Sequence, residues 1–349
     1  MIWILLACSH SEPDAWLAWV RSAGEYEVVA RELPGLTDTY NTRGSYAVLR
    51  AGGRLSVHLD ASWSYQPGRP VQVDYQVSDG VAWPLDEQGL LSWSFYGHLA
   101  DTAVALEEAG LSIGAALPID AAWVPTLPSV DIELVPAENA AYATGLNVFV
   151  LLPDLIAADV PLAANAGVVA HETGHCLFHL LSTGSVLVDP LIEDSTSEAG
   201  LYQASLHEGF ADIVATMLTD DPHFIEVSID MPERRVDGDA TTDLVVLPEQ
   251  HLLDSADSLL ALYDPYALGT VYASLAWDLR LEVGDGTLVL QAAAAAVEEW
   301  AAGAEGEWDD ADRWSFVDAL VAGMPDDHQE AACAAAARRF PGVALESCP

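Results

Sequence analysis

Residues 168–180 read Val168-Val169-Ala170-His171-Glu172-Thr173-Gly174-His175-Cys176-Leu177-Phe178-His179-Leu180. An apolar frame around His171, Glu172, Thr173, His175 and His179 predicts a helix buried in the floor of a cleft, within a helical segment 164–182. On an α-helix His171 and His175 are offset by only about 40° net, so both project from one face and can share one metal ion. Glu172 is rotated by about 100° from His171 and about 60° from His175, within reach of a water on that ion. A pair of histidines satisfied by other partners is the bland alternative. The third ligand decides between classes. A glycine and a histidine would have to stand where Phe178 and Leu181 stand for the HExxHxxGxxH pattern, so that reading fails. The next helical segment, 200–219, carries Leu206-His207-Glu208-Gly209-Phe210-Ala211-Asp212-Ile213-Val214-Ala215. Glu208 and Asp212 lie at i and i+4 on one face of an apolar helix, where two carboxylates are costly without a cation and hydrogen-bond donors. Zn²⁺ on His171, His175 and Glu208 removes that cost, and Asp212 can accept the outer ring N–H of a ligand histidine, His171 first.

The pair HETGH and HEGFAD resembles the thermolysin-like and fungalysin-like gluzincin metallopeptidases, whose pattern is HExxH followed by ExxxD. The resemblance runs over roughly residues 94–340. It implies a zincin-like α+β, two-lobed metallopeptidase domain: a mixed sheet with an active-site helix, then a helical lobe. Glu138-Asn139-Ala140-Ala141-Tyr142 is similar to the edge strand on which such enzymes lay the substrate backbone, which implies substrate pairing at Asn139 and Ala140. Tyr96-Gly97-His98-Leu99 is similar to the segment before that sheet. Asp264-Pro265-Tyr266-Ala267-Leu268-Gly269 and Tyr272–Asp278 are similar to the later active-site helix. There the family carries an oxyanion-stabilising histidine, and the nearest match is Tyr266, with Tyr263 as competitor. From His175 to Glu208 is 33 residues, longer than in thermolysin-like members, and the insert 182–205 reads as a loop over the cleft. The implied activity is zinc-dependent hydrolysis of peptide or protein substrates, as an endopeptidase, with Glu172 as general base and Tyr266 donating to the oxyanion. Two other classes stand beside it: a zinc-binding surface lipoprotein of little or no turnover, and a structural surface module whose β-rich N-terminal region is the working part.

Further out, the chain of 349 residues holds 54 acidic residues against 12 basic, a net charge of −42, and every basic residue is arginine. Such a surface repels phosphate backbones and excludes nucleic-acid binding; it suits a salty or cation-rich medium, or reflects codon bias alone. The chain opens Met1-Ile2-Trp3-Ile4-Leu5-Leu6-Ala7-Cys8. Leu5-Leu6-Ala7-Cys8 resembles a lipobox, which implies export, cleavage and acylation at Cys8, with the membrane reached only through that anchor. Cys333 and Cys348 flank a short C-terminal turn and are read as a disulfide of an exported protein; Cys176 is read as a buried free thiol. The expected segments are a lipoprotein-type signal (1–8), a β-rich N-terminal region (9–93) and the metallopeptidase domain (94–349), in a monomer.

Short alternating runs at 46–50, 54–59 and 71–75 read as strands, as do 130–135 and 146–152, while 10–22 and 99–111 read as helices. Candidate helices follow at 255–263, 266–281, 288–302, 312–322 and 326–339. His179 reads as a core residue or a fourth ligand, and His207 as a cleft or core residue. Arg234 or Arg235 either neutralises the carboxylates near the metal or belongs to a solvated pair. Asp237-Gly238-Asp239 and Asp309-Asp310-Ala311-Asp312 offer carboxylates to Ca²⁺, with solvated acidic turns as the alternative.

Overall fold

The computed structural model describes residues 12–57, 63–125, 139–152, 159–187, 197–255, 263–303 and 312–348. The lipobox with Cys8, the strand expected at 130–135, Glu138 and the acidic run at 309–311 lie outside the described residues.

The architecture is α+β: mixed sheets first, then a region of several helices. Strands β1 (Ala15–Ser22) and β2 (Glu25–Arg31) form a hairpin. Its two-residue turn puts Ala23 and Gly24 at φ 51° and 89°, the left-handed pair that matches the twist of a hairpin. The helix expected at 10–22 is therefore a strand from Ala15. The apolar run Trp16-Leu17-Ala18-Trp19-Val20 lacks the alternation that marks a half-buried strand; Ala18 is fully buried and its neighbours are partly so. Strands β3 (Leu36–Asp38), β4 (Arg43–Gly44), β5 (Ala47–Val57), β6 (Trp63–Pro70), β7 (Tyr75–Ser78) and β8 (Val81–Pro84) follow. Helix α1 (Glu87–Glu108) starts twelve residues before the expected 99, where the Asp86 side chain accepts the Gly89 N–H as N-cap. Strands β9 (Ile119–Trp123), β10 (Asn139–Ala143) and β11 (Val148–Leu152) complete the sheets.

One sheet has the order β2-β1-β8-β7; the larger runs β10-β11-β9-β5-β4-β3, with β6 on β5. β5 and β11 both pair parallel with β9, whereas β10 runs antiparallel to β11 and is the last strand on that side among the described residues. Strands from residues 36–70 and from 119–152 therefore share one sheet. Helices α2 (Ala166–Thr183), α3 (Glu198–Thr219), α4 (Pro248–Ser255), α5 (Pro265–Val283), α6 (Gly286–Gly303), α7 (Ser315–Ala322) and α8 (Gln329–Arg339) build the rest. The core joins the inner face of the sheet (Leu49, Ala121, Phe149, Leu151) to Phe178 of α2, Phe210 of α3 and Leu275 of α5. At about 1.5–3 kcal/mol for each large apolar side chain removed from water, this shared core holds sheet and helices together.

Two glycines set how closely the helices approach. A Cβ at Gly174 of α2 would stand 2.7 Å from Cα of Ala211 on α3, and one at Gly209 of α3 would stand 2.7 Å from the Gly269 carbonyl oxygen on α5. At the C-terminus Cys333 and Cys348 form a disulfide with Cα atoms 5.5 Å apart, tying α8 to the last residues; Cys176 is a buried free thiol. No helix among the described residues is long and apolar enough to cross a membrane.

Candidate metal centre

Helix α2 begins at Asn165, whose side-chain oxygen accepts the Gly167 and Val168 N–H groups while its amide donates to the Phe224 carbonyl and Ser228 Oγ. Tyr26 of β2 reaches the same point. Its hydroxyl donates to Asn165 Oδ1 at 2.8 Å and accepts the Ala166 N–H at 3.0 Å. The first turn of α2 is thus capped from the N-terminal sheet, a role the sequence did not disclose. Asn165 ahead of an apolar run is an N-cap signal; Tyr26 carries no such sign.

His171 and His175 face each other across the cleft side of α2, with Nε2 atoms 3.1 Å apart. Glu208 Oε2, on α3, lies 3.4 Å from His171 Nε2 and 3.6 Å from His175 Nε2. Among the described residues these three form the one group of His, Cys, Asp or Glu donors that converges as metal ligands do. Ligands held at about 2.0–2.1 Å around a tetrahedral Zn²⁺ are separated by about 3.3 Å, so the three spacings fit that ion. The charges agree. Arg234 pairs with Asp212 and is the guanidinium whose charge acts on Glu172 and Glu208 as well, so three carboxylates face one cation, and a divalent metal ion would balance the remainder. Glu208 Oε2 is buried and has no hydrogen-bond partner.

Asp212, fully buried one turn beyond Glu208, places Oδ1 2.8 Å from His171 Nδ1. The same oxygen accepts from Arg234 Nη2 at 2.5 Å. Of the two arginines weighed in the sequence, Arg234 neutralises the cluster, while exposed Arg235 pairs with Glu226. Burial alone would raise the Asp212 carboxyl, but the Arg234 charge and the His171 hydrogen bond hold it below the ordinary carboxylate range. Burial would likewise depress His171; the Asp212 carboxylate at Nδ1, the contact with Glu208 at Nε2, and the charges of Asp212 and Glu172 override it and push the ring up to about 10. A proton on His171 answers the same negative field that a cation answers. His175 has no such carboxylate on its outer nitrogen. Burial, then neighbouring His207, drives it well below the ordinary histidine value.

Glu172 is buried, and the backbone N–H of Tyr142 on β10 donates to its Oε2 at 2.7 Å. Burial pushes its carboxyl up to about 7, with the charge of Glu208 adding to the rise and that of His171 opposing it. The same contact orients β10. Tyr142 N–H points away from β11, so by strand alternation the N–H and C=O of Ala140 also face away from β11, while those of Asn139 and Ala141 face it. Among the described residues no strand pairs with this side of β10, which runs beside Glu172 with the main-chain groups of Ala140 on it.

Tyr266 stands at the start of α5, where the Asp264 side chain accepts its N–H. Its ring packs on Arg234, the guanidinium carbon lying 4.4 Å from the ring centroid. The charge of Glu208, then burial, raises its phenol above the ordinary value, which places it within the field of the cluster. Tyr263, the competitor, bonds Ser205 Oγ at 2.8 Å through its hydroxyl and packs against His251. His179 is fully buried, 6.2 Å from the Tyr142 ring and 5.9 Å from the His207 ring between centroids, and is not part of the donor group. Asp237 pairs with His223 at 2.8 Å rather than joining other carboxylates.

The structure thus brings His171, Glu172, His175, Glu208, Asp212 and Tyr266 together, with the strand that carries Ala140 against Glu172. Arg234, one of the two arginines weighed in the sequence, joins them, and so does the Tyr142 N–H, which the sequence did not single out. No protein-family model matches the sequence, and no curated protein matches it. What stands is a buried His₂Glu group able to hold a metal ion, arranged as in an HExxH…E zincin-like site.

Proposed function

We propose that the protein is a zinc-dependent peptidase of the gluzincin type, an exported endopeptidase acting on extended peptide segments. The observation that carries the reading is the convergence of the His171, His175 and Glu208 donors beside a buried carboxylate, Glu172, that accepts a main-chain N–H from β10, the last strand of its sheet among the described residues. When bound, zinc would supply Lewis acidity to a scissile carbonyl and to the attacking water. The protein's own groups do the rest. Main-chain groups of Ala140 pair with the substrate backbone as an added strand. Glu172 is anchored through Oε2 by Tyr142 and keeps its other oxygen for the water, whose proton it takes and then delivers to the leaving amine nitrogen. The Tyr266 hydroxyl donates to the developing oxyanion, and its ring is held in place by Arg234. Asp212 fixes the His171 tautomer so that Nε2 faces the metal. The Cys333–Cys348 disulfide supports an oxidising, extracytoplasmic location, and anchoring at Cys8 belongs to the same proposal.

Elemental analysis of the wild type and of Glu208→Ala, with hydrolysis of an unstructured protein measured with and without chelator, tests the reading. One zinc per wild-type chain, lost in the variant, and chelator-sensitive hydrolysis are expected. Full zinc in Glu208→Ala removes Glu208 as a ligand. A zinc-loaded wild type that leaves diverse peptides intact makes the protein a binding module instead.

A further inference from the structure

The N–H that bonds Glu172 stands only as firmly as the strand that carries it. Tyr142 lies in β10 opposite Phe149 of β11, and its N–H reaches Glu172 Oε2 at 2.7 Å. Its ring is buried in the core, edge-on to Phe149 with centroids 5.7 Å apart. The Tyr142 hydroxyl donates to Asn147 Oδ1 at 2.9 Å, and Asn147 Nδ2 donates to the Ala116 carbonyl at 2.7 Å. Both ends of the amide are used, which fixes its orientation: oxygen to hydroxyl, nitrogen to carbonyl. Asn147 ends the turn between β10 and β11 at φ 53°, a left-handed conformation that asparagine and glycine adopt most readily. Ala116 belongs to the short turn Gly114–Ala116 ahead of β9. A chain of contacts therefore runs from that turn, through Asn147 and Tyr142, to Glu172, and no metal-donor side chain takes part in it.

We propose that Asn147 is a positioning residue for peptide hydrolysis: by holding the Tyr142 hydroxyl it sets where the Tyr142 N–H stands, and so where Glu172 is pinned. This rests on the reading of Glu172 as the general base. Among the described residues β10 pairs with β11 alone, so main-chain pairing secures it from one side. The Asn147 amide secures it through the core as well, by tying Tyr142 to the turn before β9. The demand for such a tie is chemical. A general base works only within hydrogen-bond reach of the proton it takes, and about 1 Å of misplacement can cost about 10²-fold in rate.

The test uses Asn147→Gly, which keeps a residue at ease in the left-handed backbone and removes the amide, and Tyr142→Phe, which keeps the ring and removes the hydroxyl. Both keep the main-chain N–H at position 142. For a peptide that the zinc-loaded wild type cleaves, kcat and KM are measured for each variant, for the pair combined, and for each in a Glu172→Gln background. Zinc content is determined on the same samples. Each single variant is expected to lose about tenfold in kcat, short of the loss that a full ångström of misplacement brings. KM should stay within a few-fold of wild type and zinc content should be unchanged. The combined variant should lose no more than either alone, because both remove one hydrogen bond. In the Glu172→Gln background neither change should cost anything further, since the base being positioned is gone. Circular dichroism checks folding; if Asn147→Gly does not fold, Tyr142→Phe carries the same expectations. Wild-type kcat in the folded variants overturns the proposal. So does an equal loss in the Glu172→Gln background, which marks a general packing role, or a rise in KM with kcat unchanged, which marks a role in substrate pairing. A wild type that cleaves no peptide overturns the peptidase reading itself, a separate outcome.

Discussion

Gly174→Ala isolates the helix spacing on which the metal site depends. Alanine is a better helix former than glycine by about 1 kcal/mol, so on propensity alone the change stabilises α2. The structure reverses the sign. The new Cβ would stand 2.7 Å from Ala211 Cα, 3.1 Å from Val214 Cβ and 3.3 Å from Ala211 Cβ, whereas ordinary contact begins at 3.4 Å. The closest of these is main chain, so α3 must recede by about 0.7 Å rather than turn a side chain away; overpacking of this kind costs about 1–3 kcal/mol. Glu208 lies one turn before Ala211 and moves with it. Metal–ligand distances tolerate only about ±0.2 Å, so the third ligand is displaced by several times the tolerance. Zinc affinity is expected to fall at least about tenfold, as for other losses of ligand placement, and the melting temperature by a few degrees at about 2–4 °C per kcal/mol. Chelator competition and thermal unfolding measure both. Gly303→Ala, in open space at the end of α6, is the control and should not lower the melting temperature. A Gly174→Ala protein that binds zinc as tightly as wild type and melts no lower would refute the reasoning.

Two further outcomes follow from the buried charges. Arg234→Met leaves Asp212 buried without its cation, both side chains being almost inaccessible; denaturant unfolding should show a loss of about 3–5 kcal/mol, partly restored by adding Asp212→Asn. The metal-free protein should lose stability as pH rises. Glu172 and His171 both titrate above their ordinary values, so their contribution is complete at low pH and lost as pH climbs through about 7 and about 10. Melting temperatures across that range check it, and a flat or rising profile in the metal-free protein would contradict the charge arrangement.

The metal donors were legible because helical geometry is local: spacings of four within HETGH and HEGFAD place side chains on one face whatever the rest of the chain does. The apolar neighbours of those motifs, such as Val169 and Phe210, are buried as their pattern required. Other features depend on distant pairings. β5 lies parallel to β9 some 70 residues later, Ala47 opposite Ile119 and Val48 opposite Asp120, and no local pattern announces such a register. The contact that anchors Glu172 comes from a main-chain N–H, which any residue but proline supplies at position 142. Tyr26 caps α2 from 139 residues away, and Arg234 could be told from Arg235 only once the loop after α3 had folded over Asp212. β1 differs from the helix expected there because its continuous apolar run, Trp16 to Val20, lacks the alternation that marks a strand.

The central claim is that this constellation hydrolyses peptide bonds with Glu172 as the base. Glu172→Gln preserves the shape of the side chain and an oxygen to accept the Tyr142 N–H, but cannot take a proton. The decisive measurement is hydrolysis of an unstructured protein by zinc-loaded wild type and Glu172→Gln side by side, with zinc content determined on the same samples. Equal zinc and a fall in rate of about 10²–10⁴-fold are expected from loss of a general base. Equal rates in the two proteins would place the catalysis elsewhere and contradict the claim.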